Sequence, residues 1–187
     1  MGLRFSTSVL LLAMMSPHAS AEDAAASFLV KLFSNVCLPN AGHPEKVRGW
    51  ASEMKLSEVT TPAALETFVG PGGKGAAWAV PTSIGSFALS IRGTTEACAV
   101  YARSADPTEV ERYFRRIMQG VARPGIGVTV AKDSTAPGAN GSVRLLSYAV
   151  SATDSPGSGF LYTLTTAEKT GGAFQASLQA ARYSHPE

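Results

Sequence analysis

Apolar residues along this chain recur with a helical period in some segments and with a strand period in others, and the two kinds of segment are sorted along its length. Over residues 24–37, Phe28, Leu29, Leu32, Phe33 and Val36 fall three and four apart and form one apolar face. Asp23 is placed to cap this helix, and Pro39-Asn40-Ala41-Gly42 ends it. Pro44 opens a second helix with Val47, Trp50, Ala51 and Met54 on one side. Thr61-Pro62 repeats the cap-then-proline signal before a short turn through Phe68.

The character changes at Gly70-Pro71-Gly72-Gly73. Short β-rich runs follow over residues 76–81, 86–92 and 97–103, separated by turn residues as in a meander. In 86–92 the large apolar side chains alternate with small or polar ones, the mark of a half-buried strand. Asp106-Pro107-Thr108-Glu109 then starts a helix with a cap, a proline at the first position and an acid three residues on. Val110, Tyr113, Phe114, Ile117, Met118 and Val121 line its apolar side, and Arg123-Pro124-Gly125 ends it.

Further strands are expected over 127–132, 143–152, 160–166 and 173–180, with turns at Asn140-Gly141 and Ser155-Pro156-Gly157. The last of them is Ala-rich and reads equally as helix. Strands joined by short turns imply an antiparallel sheet. The expected fold is therefore α+β: an antiparallel sheet of about six or seven strands with N-terminal helices and one central helix packed on it. It forms a single domain over residues 22–187, helical to about residue 69 and sheet-rich over about 75–182.

Residues 1–21 do not belong to that pattern. Arg4 precedes the apolar run Val9-Leu10-Leu11-Leu12-Ala13-Met14-Met15, and Ala19 and Ala21 supply the small-residue spacing that a signal peptidase reads. The run is far shorter than the roughly 20 residues of a spanning helix. The expectation is a signal peptide cleaved after Ala21, no transmembrane segment in the mature chain, and a periplasmic or secreted location. The alternative is a short buried helix.

Charge changes the picture by exclusion. Sixteen Lys and Arg against fourteen Asp and Glu give a net charge of +2, which removes the electrostatic basis of a nucleic-acid binder. Cys37 and Cys98 are the only two cysteines, an even number that suits a disulfide in an exported chain. A bridge enclosing about 60 residues would constrain the unfolded chain by roughly 4 kcal/mol on the entropic model. Two separate buried thiols are the alternative.

Candidate chemistry is sparse. Gly70-Pro71-Gly72-Gly73-Lys74-Gly75 has the glycines and lysine of a phosphate loop, but the spacing and the expected helix-to-strand junction are wrong. Ser52-Glu53-Met54-Lys55 matches S-x-x-K and Lys169-Thr170-Gly171 matches K-T-G, two of the three elements of penicillin-recognising serine enzymes; the S-D-N element is missing. Of the three histidines, His18 falls in the expected leader, His43 in a loop and His185 in the tail. No Ser/His/Asp or Cys/His set converges, so no catalytic residue, cofactor or metal ligand is assigned.

Arg112, Arg115 and Arg116, with Arg123 nearby, form the one basic cluster. It reads either as a solvated outer helix face or as a docking surface for an acidic partner, such as an envelope protein, or for anionic envelope lipid or glycan. Trp50, Trp78, Phe87, Tyr101, Tyr148, Phe160 and Tyr162 read as core and cross-strand pairs.

Cys37-Leu38-Pro39-Asn40, Trp50, the stretch Phe68-Val69-Gly70-Pro71-Gly72-Gly73, Trp78, Ala97-Cys98-Ala99-Val100, Gly120-Val121-Ala122-Arg123-Pro124-Gly125 and Thr166-Ala167-Glu168-Lys169 together resemble a family of small, uncharacterised, exported bacterial proteins with a pair of cysteines. The resemblance covers nearly the whole mature chain. It implies a secreted or periplasmic single domain with Cys37 and Cys98 paired, and it brings no activity or catalytic residues. The expected function is an exported periplasmic binding or interaction domain, such as an envelope accessory or an inhibitor. The alternatives are a small-ligand binder with a pocket between helices and sheet, and an envelope hydrolase using Ser52 and Lys55.

Overall fold

Proline and aspartate set where the helices begin. The computed structural model describes residues 18–93 and 95–184, the first three by backbone alone. Most of the expected signal peptide and His185 lie outside the described residues. Helix α1 spans His18–Leu32 and runs directly into a π-helical turn, Phe33–Cys37. Its start lies ahead of Asp23, so Asp23 is inside the helix rather than its cap. The Asp23 carboxylate instead accepts from Tyr113 Oη at 3.3 Å. Helices α2 (Pro44–Glu53), α3 (Pro62–Val69) and α4 (Pro107–Val121) each begin on a proline, whose missing N–H costs nothing in a first turn. Asp106 caps α4 as its sequence predicts, accepting from the N–H groups of Thr108 and Glu109 at 2.8 and 2.9 Å.

The strands are β1 (Ser57–Glu58), β2 (Gly75–Val80), β3 (Phe87–Arg92), β4 (Ala97–Ala102), β5 (Ile126–Gly138), β6 (Gly141–Ala152), β7 (Ser155–Ala167) and β8 (Ala176–Ser184). They form one sheet in the order β1-β2-β3-β4-β8-β7-β6-β5, antiparallel throughout. The expected α+β fold is present, with eight strands in place of six or seven. The extra strand is β1, two residues paired with Ala79 and Trp78 at the sheet edge. The Ala-rich C-terminal segment is a strand, because β4 and β7 pair with it on both sides.

Two meanders make this order. β1 to β4 run in sequence, α4 crosses the sheet, and β5 to β8 come back so that β8 lies beside β4. Register puts one apolar row across the helix-facing side. Trp78 stands opposite Leu89, Leu89 opposite Val100, Val100 opposite Leu178, Leu178 opposite Leu164 and Leu164 opposite Leu146. The row ends at Asp133 on the far edge. Leu29, Phe33, Val36, Val47, Phe114 and Met118 pack down on it, all fully buried. On the reverse side Phe68 of α3 meets Tyr101 and Phe174, with ring centroids 5.3 and 5.1 Å away.

Cys37 and Cys98 form a disulfide with Cα atoms 5.3 Å apart, joining the end of the π turn to β4. Both are buried. Among the described residues no helix is long and apolar enough to cross a membrane.

Candidate functional site

The π turn opens the site. Leu38 N–H donates to Phe33 O at 2.9 Å, one residue further back than an α-helix allows, and this widening is a common feature of functional helix segments. Asn40 Nδ2 holds the turn's end by donating to Val36 O at 2.9 Å. The wall so formed carries Phe28, Lys31, Leu32, Asn35 and Val36. Across from it stand Trp50 of α2, Met54 and Leu56 just beyond that helix, Val80 at the end of β2, and the β2–β3 loop from Pro81 to Ile84. Between them is an apolar groove of about 640 Å³, within the range of small-molecule sites.

The loop side is fixed rather than slack. Thr82 Oγ1 donates to Gly85 O at 2.9 Å and accepts from Ile84 N–H at 3.2 Å, which turns the Ile84 side chain out beside the groove. Phe28 leans on Phe87 at 4.7 Å between centroids and anchors the helix side. Met54 is 57% exposed and Ile84 39%, and they are two of the three large apolar side chains left exposed among the described residues. Both line this one groove. Single exposed apolar residues need no explanation, but two converging on a concave apolar surface do.

The polar groups of the groove are few, and Thr82 is engaged within its own loop. Lys31 is its only charged residue, and no acid lines it. The side chains of Lys31, Asn35 and Ser83 make no hydrogen bond or ion pair among the described residues. An apolar trough with a small set of free donors can hold and orient a ligand.

A larger cavity, about 760 Å³, lies between the start of α4 and the strands β5 to β7. Three of its charged residues, Glu111, Arg115 and Arg144, are bonded together. Arg144 Nε and Nη2 donate to the two oxygens of Glu111 at 3.1 and 3.2 Å, and Arg144 Nη1 donates to Asp133 at 2.6 Å. Arg115 donates to the same Glu111 at 2.7 Å and to Tyr148 Oη at 3.1 Å. The hydrogen bond from Arg144, opposed by burial and joined by that from Arg115, holds the Glu111 carboxyl below its ordinary range. Arg144 does the same for Asp133. This network clamps α4 to the β5–β6 hairpin.

The sequence-predicted residues fall as follows. Arg112 is paired with Glu109 and also lies over the Tyr113 ring at 4.4 Å. Arg115 belongs to the clamp, and Arg116 is exposed without an ion pair among the described residues. The three do not form a continuous uncompensated basic surface. Ser52 sits in the last turn of α2, whereas Lys55 has left the helix with a φ of +53°, so the two do not share a helical face. Lys169-Thr170-Gly171 lies in the loop after β7 rather than on a strand. In the glycine-rich loop the Glu66 carboxylate accepts from Gly72 N–H at 3.3 Å, where a phosphate loop would present free N–H groups. His43 faces Glu45 at 3.3 Å. Among the described residues no group of three or more His, Cys, Asp or Glu is placed to hold a metal ion.

Sequence reasoning assigned Trp50 to the core and Met54 to the apolar side of α2. Both belong to the groove, and Trp50 is only partly buried. Lys31, Asn35 and Ile84 were not singled out, since their juxtaposition depends on packing between segments far apart in the chain. No family model, curated protein or solved structure matches this chain.

Proposed function

We propose that this protein is an exported binding domain that takes a small apolar ligand in the groove between α1, the π turn, α2 and the β2–β3 loop. The observation that carries this reading is the convergence of exposed Met54 and Ile84 on a concave surface otherwise lined by Phe28, Leu32, Val36 and Trp50. Leaving such side chains in water forgoes roughly 25 cal/mol per Å² of burial, which a ligand recovers by covering them. Export rests on the charged, apolar and small-residue order of residues 1–21, and a buried disulfide suits an oxidising compartment.

Docking to an acidic envelope partner through Arg112, Arg115 and Arg116 has less support, since two of the three arginines already hold carboxylates. A hydrolase using Ser52 and Lys55 has less again, because Lys55 lies beyond the helix end.

Only two tryptophans are present, Trp50 in the groove and Trp78 buried under Arg48. Ligand entry should therefore shift tryptophan emission through Trp50. The test is a thermal-shift and emission screen of small apolar molecules. A saturable response that Met54→Asp abolishes supports the reading; the same response in that variant would sink it.

A further inference from the structure

We infer that the ligand of this groove is a monomeric single-chain amphiphile with an anionic head, such as a medium-chain carboxylate, whose head is taken by Lys31. The inference rests on the binding reading above and adds the ligand's chemical class.

The lining fixes the two ends of the molecule. The body of the groove offers Leu32, Val36, Trp50, Met54 and Leu56 with no acid among its lining residues. An aliphatic chain suits it, because every polar atom placed there would lose water without gaining a partner. The rim differs. Lys31 stands one helical turn before Asn35, so both side chains project from the same face of the helical wall. Ser83 of the β2–β3 loop belongs to the same lining.

The charge pattern gives the sign of the head. In the larger cavity the arginines Arg112, Arg115 and Arg144 are neutralised by Glu109, Glu111 and Asp133. Lys31 has no such partner among the described residues, and no carboxylate shares its groove. An ammonium with two neutral donors beside an apolar trough is complementary to one carboxylate on one chain. A cationic head would meet Lys31 with like charge. A neutral head would gain no charge-assisted bond from the ammonium.

The experiment titrates the protein with decanoate, decan-1-ol and decyltrimethylammonium, each far below micelle-forming concentration, following tryptophan emission and thermal shift. Decanoate should bind at least tenfold more tightly than the other two. Lys31→Gln should erase that preference while decan-1-ol binding is retained, and Lys31→Glu should reverse it toward the cation. Lys31 is exposed, so neither change should alter the unliganded melting temperature. Equal affinity for the three probes, or a preference for decanoate that survives Lys31→Gln, would overturn the head-group assignment and leave the groove reading standing. Binding to anionic vesicles with no response to monomeric decanoate would also overturn it. Silence from all three probes would remove the groove reading as well.

Discussion

Arg144 Nε lies 3.1 Å from Glu111 Oε2, so a residue of the second long strand is bonded to the central helix. Glu111 also holds Arg115, and both arginines reach Asp133 at the end of the apolar row. One carboxylate thus organises the junction between α4 and the β5–β6 hairpin. Glu111→Gln should cost about 1 kcal/mol at pH 7, discounted for solvent screening, and less in 1 M salt. The pH dependence follows from the sign of its shift. Because Arg144 and Arg115 lower the folded-state value below 4.5, the contribution is present above that pH and is lost as pH falls through the folded value. Urea unfolding of both proteins at pH 7 and pH 3 checks this: the difference should shrink in acid, and a constant gap would contradict it.

The disulfide acts on a different element. Cys37 closes the π turn and Cys98 sits in the middle of the buried sheet, 61 residues away in sequence. Replacing both with alanine should lower stability by about 2–4 kcal/mol, since the long loop is no longer closed in the unfolded chain. The same loss should appear on reduction of the native protein in denaturant. An unchanged unfolding midpoint after complete reduction would show that packing of Phe33 and Val36 alone secures the turn.

Asp106 offers the cleanest local test. Its carboxylate accepts two of the N–H groups that a helix start leaves unpaired. Asp106→Ala should cost about 1 kcal/mol and Asp106→Asn much less, because asparagine caps nearly as well. Equal losses for the two would mean that the carboxylate charge at the helix start, rather than the cap hydrogen bonds, stabilises α4.

That helix was legible in the sequence because its signals are local: cap, proline, acid and an apolar face within one segment. The strands around Phe87–Arg92 and Ala97–Ala102 were legible for the same reason, through alternation and turn residues. What escaped depends on pairing. β1 is two polar residues whose strand character comes entirely from Ala79 and Trp78 opposite. β5 continues to Gly138, well past the expected 132, since the register shift between Val130 and Lys132 resets its alternation and β6 pairs with the polar remainder. Ala176–Ser184 has a helical composition overridden by neighbours on both sides. The groove is less legible still. Lys31, Trp50 and Ile84 belong to three segments, and the signal available was only that Met54 and Ile84 are apolar residues near segment ends.

Tyr162 titrates late. It is buried in the core with its ring 6.2 Å from Phe33, and that burial pushes its phenol up to about 12. The neutral form is favoured in the folded state, so its contribution is intact below the ordinary value of 10.0 and turns against folding only above it. An acid raised on folding costs stability where the unfolded phenol is ionised and the folded one is not. Native protein should lose stability between pH 10 and 12, and Tyr162→Phe should flatten that limb in alkaline urea unfolding. An identical alkaline limb in the variant would assign the loss to other groups.

The groove predicts a separation of binding from stability. Core truncations such as Leu29→Ala or Val47→Ala leave cavities and should cost about 2–5 and 1–3 kcal/mol, because both residues are fully buried. Met54 and Ile84 are different, since much of each side chain is already in water. Met54→Ser and Ile84→Ser should each change unfolding free energy by no more than about 0.5 kcal/mol. The same substitutions should weaken ligand binding several-fold, as each removes apolar surface that only a ligand covers. Calorimetry with the wild-type protein should also show a negative heat-capacity change on binding, and its magnitude should fall in the variants. If both serine variants bind as tightly as the wild type, Met54 and Ile84 are incidental surface residues and the groove between α1 and the β2–β3 loop is not where the ligand sits.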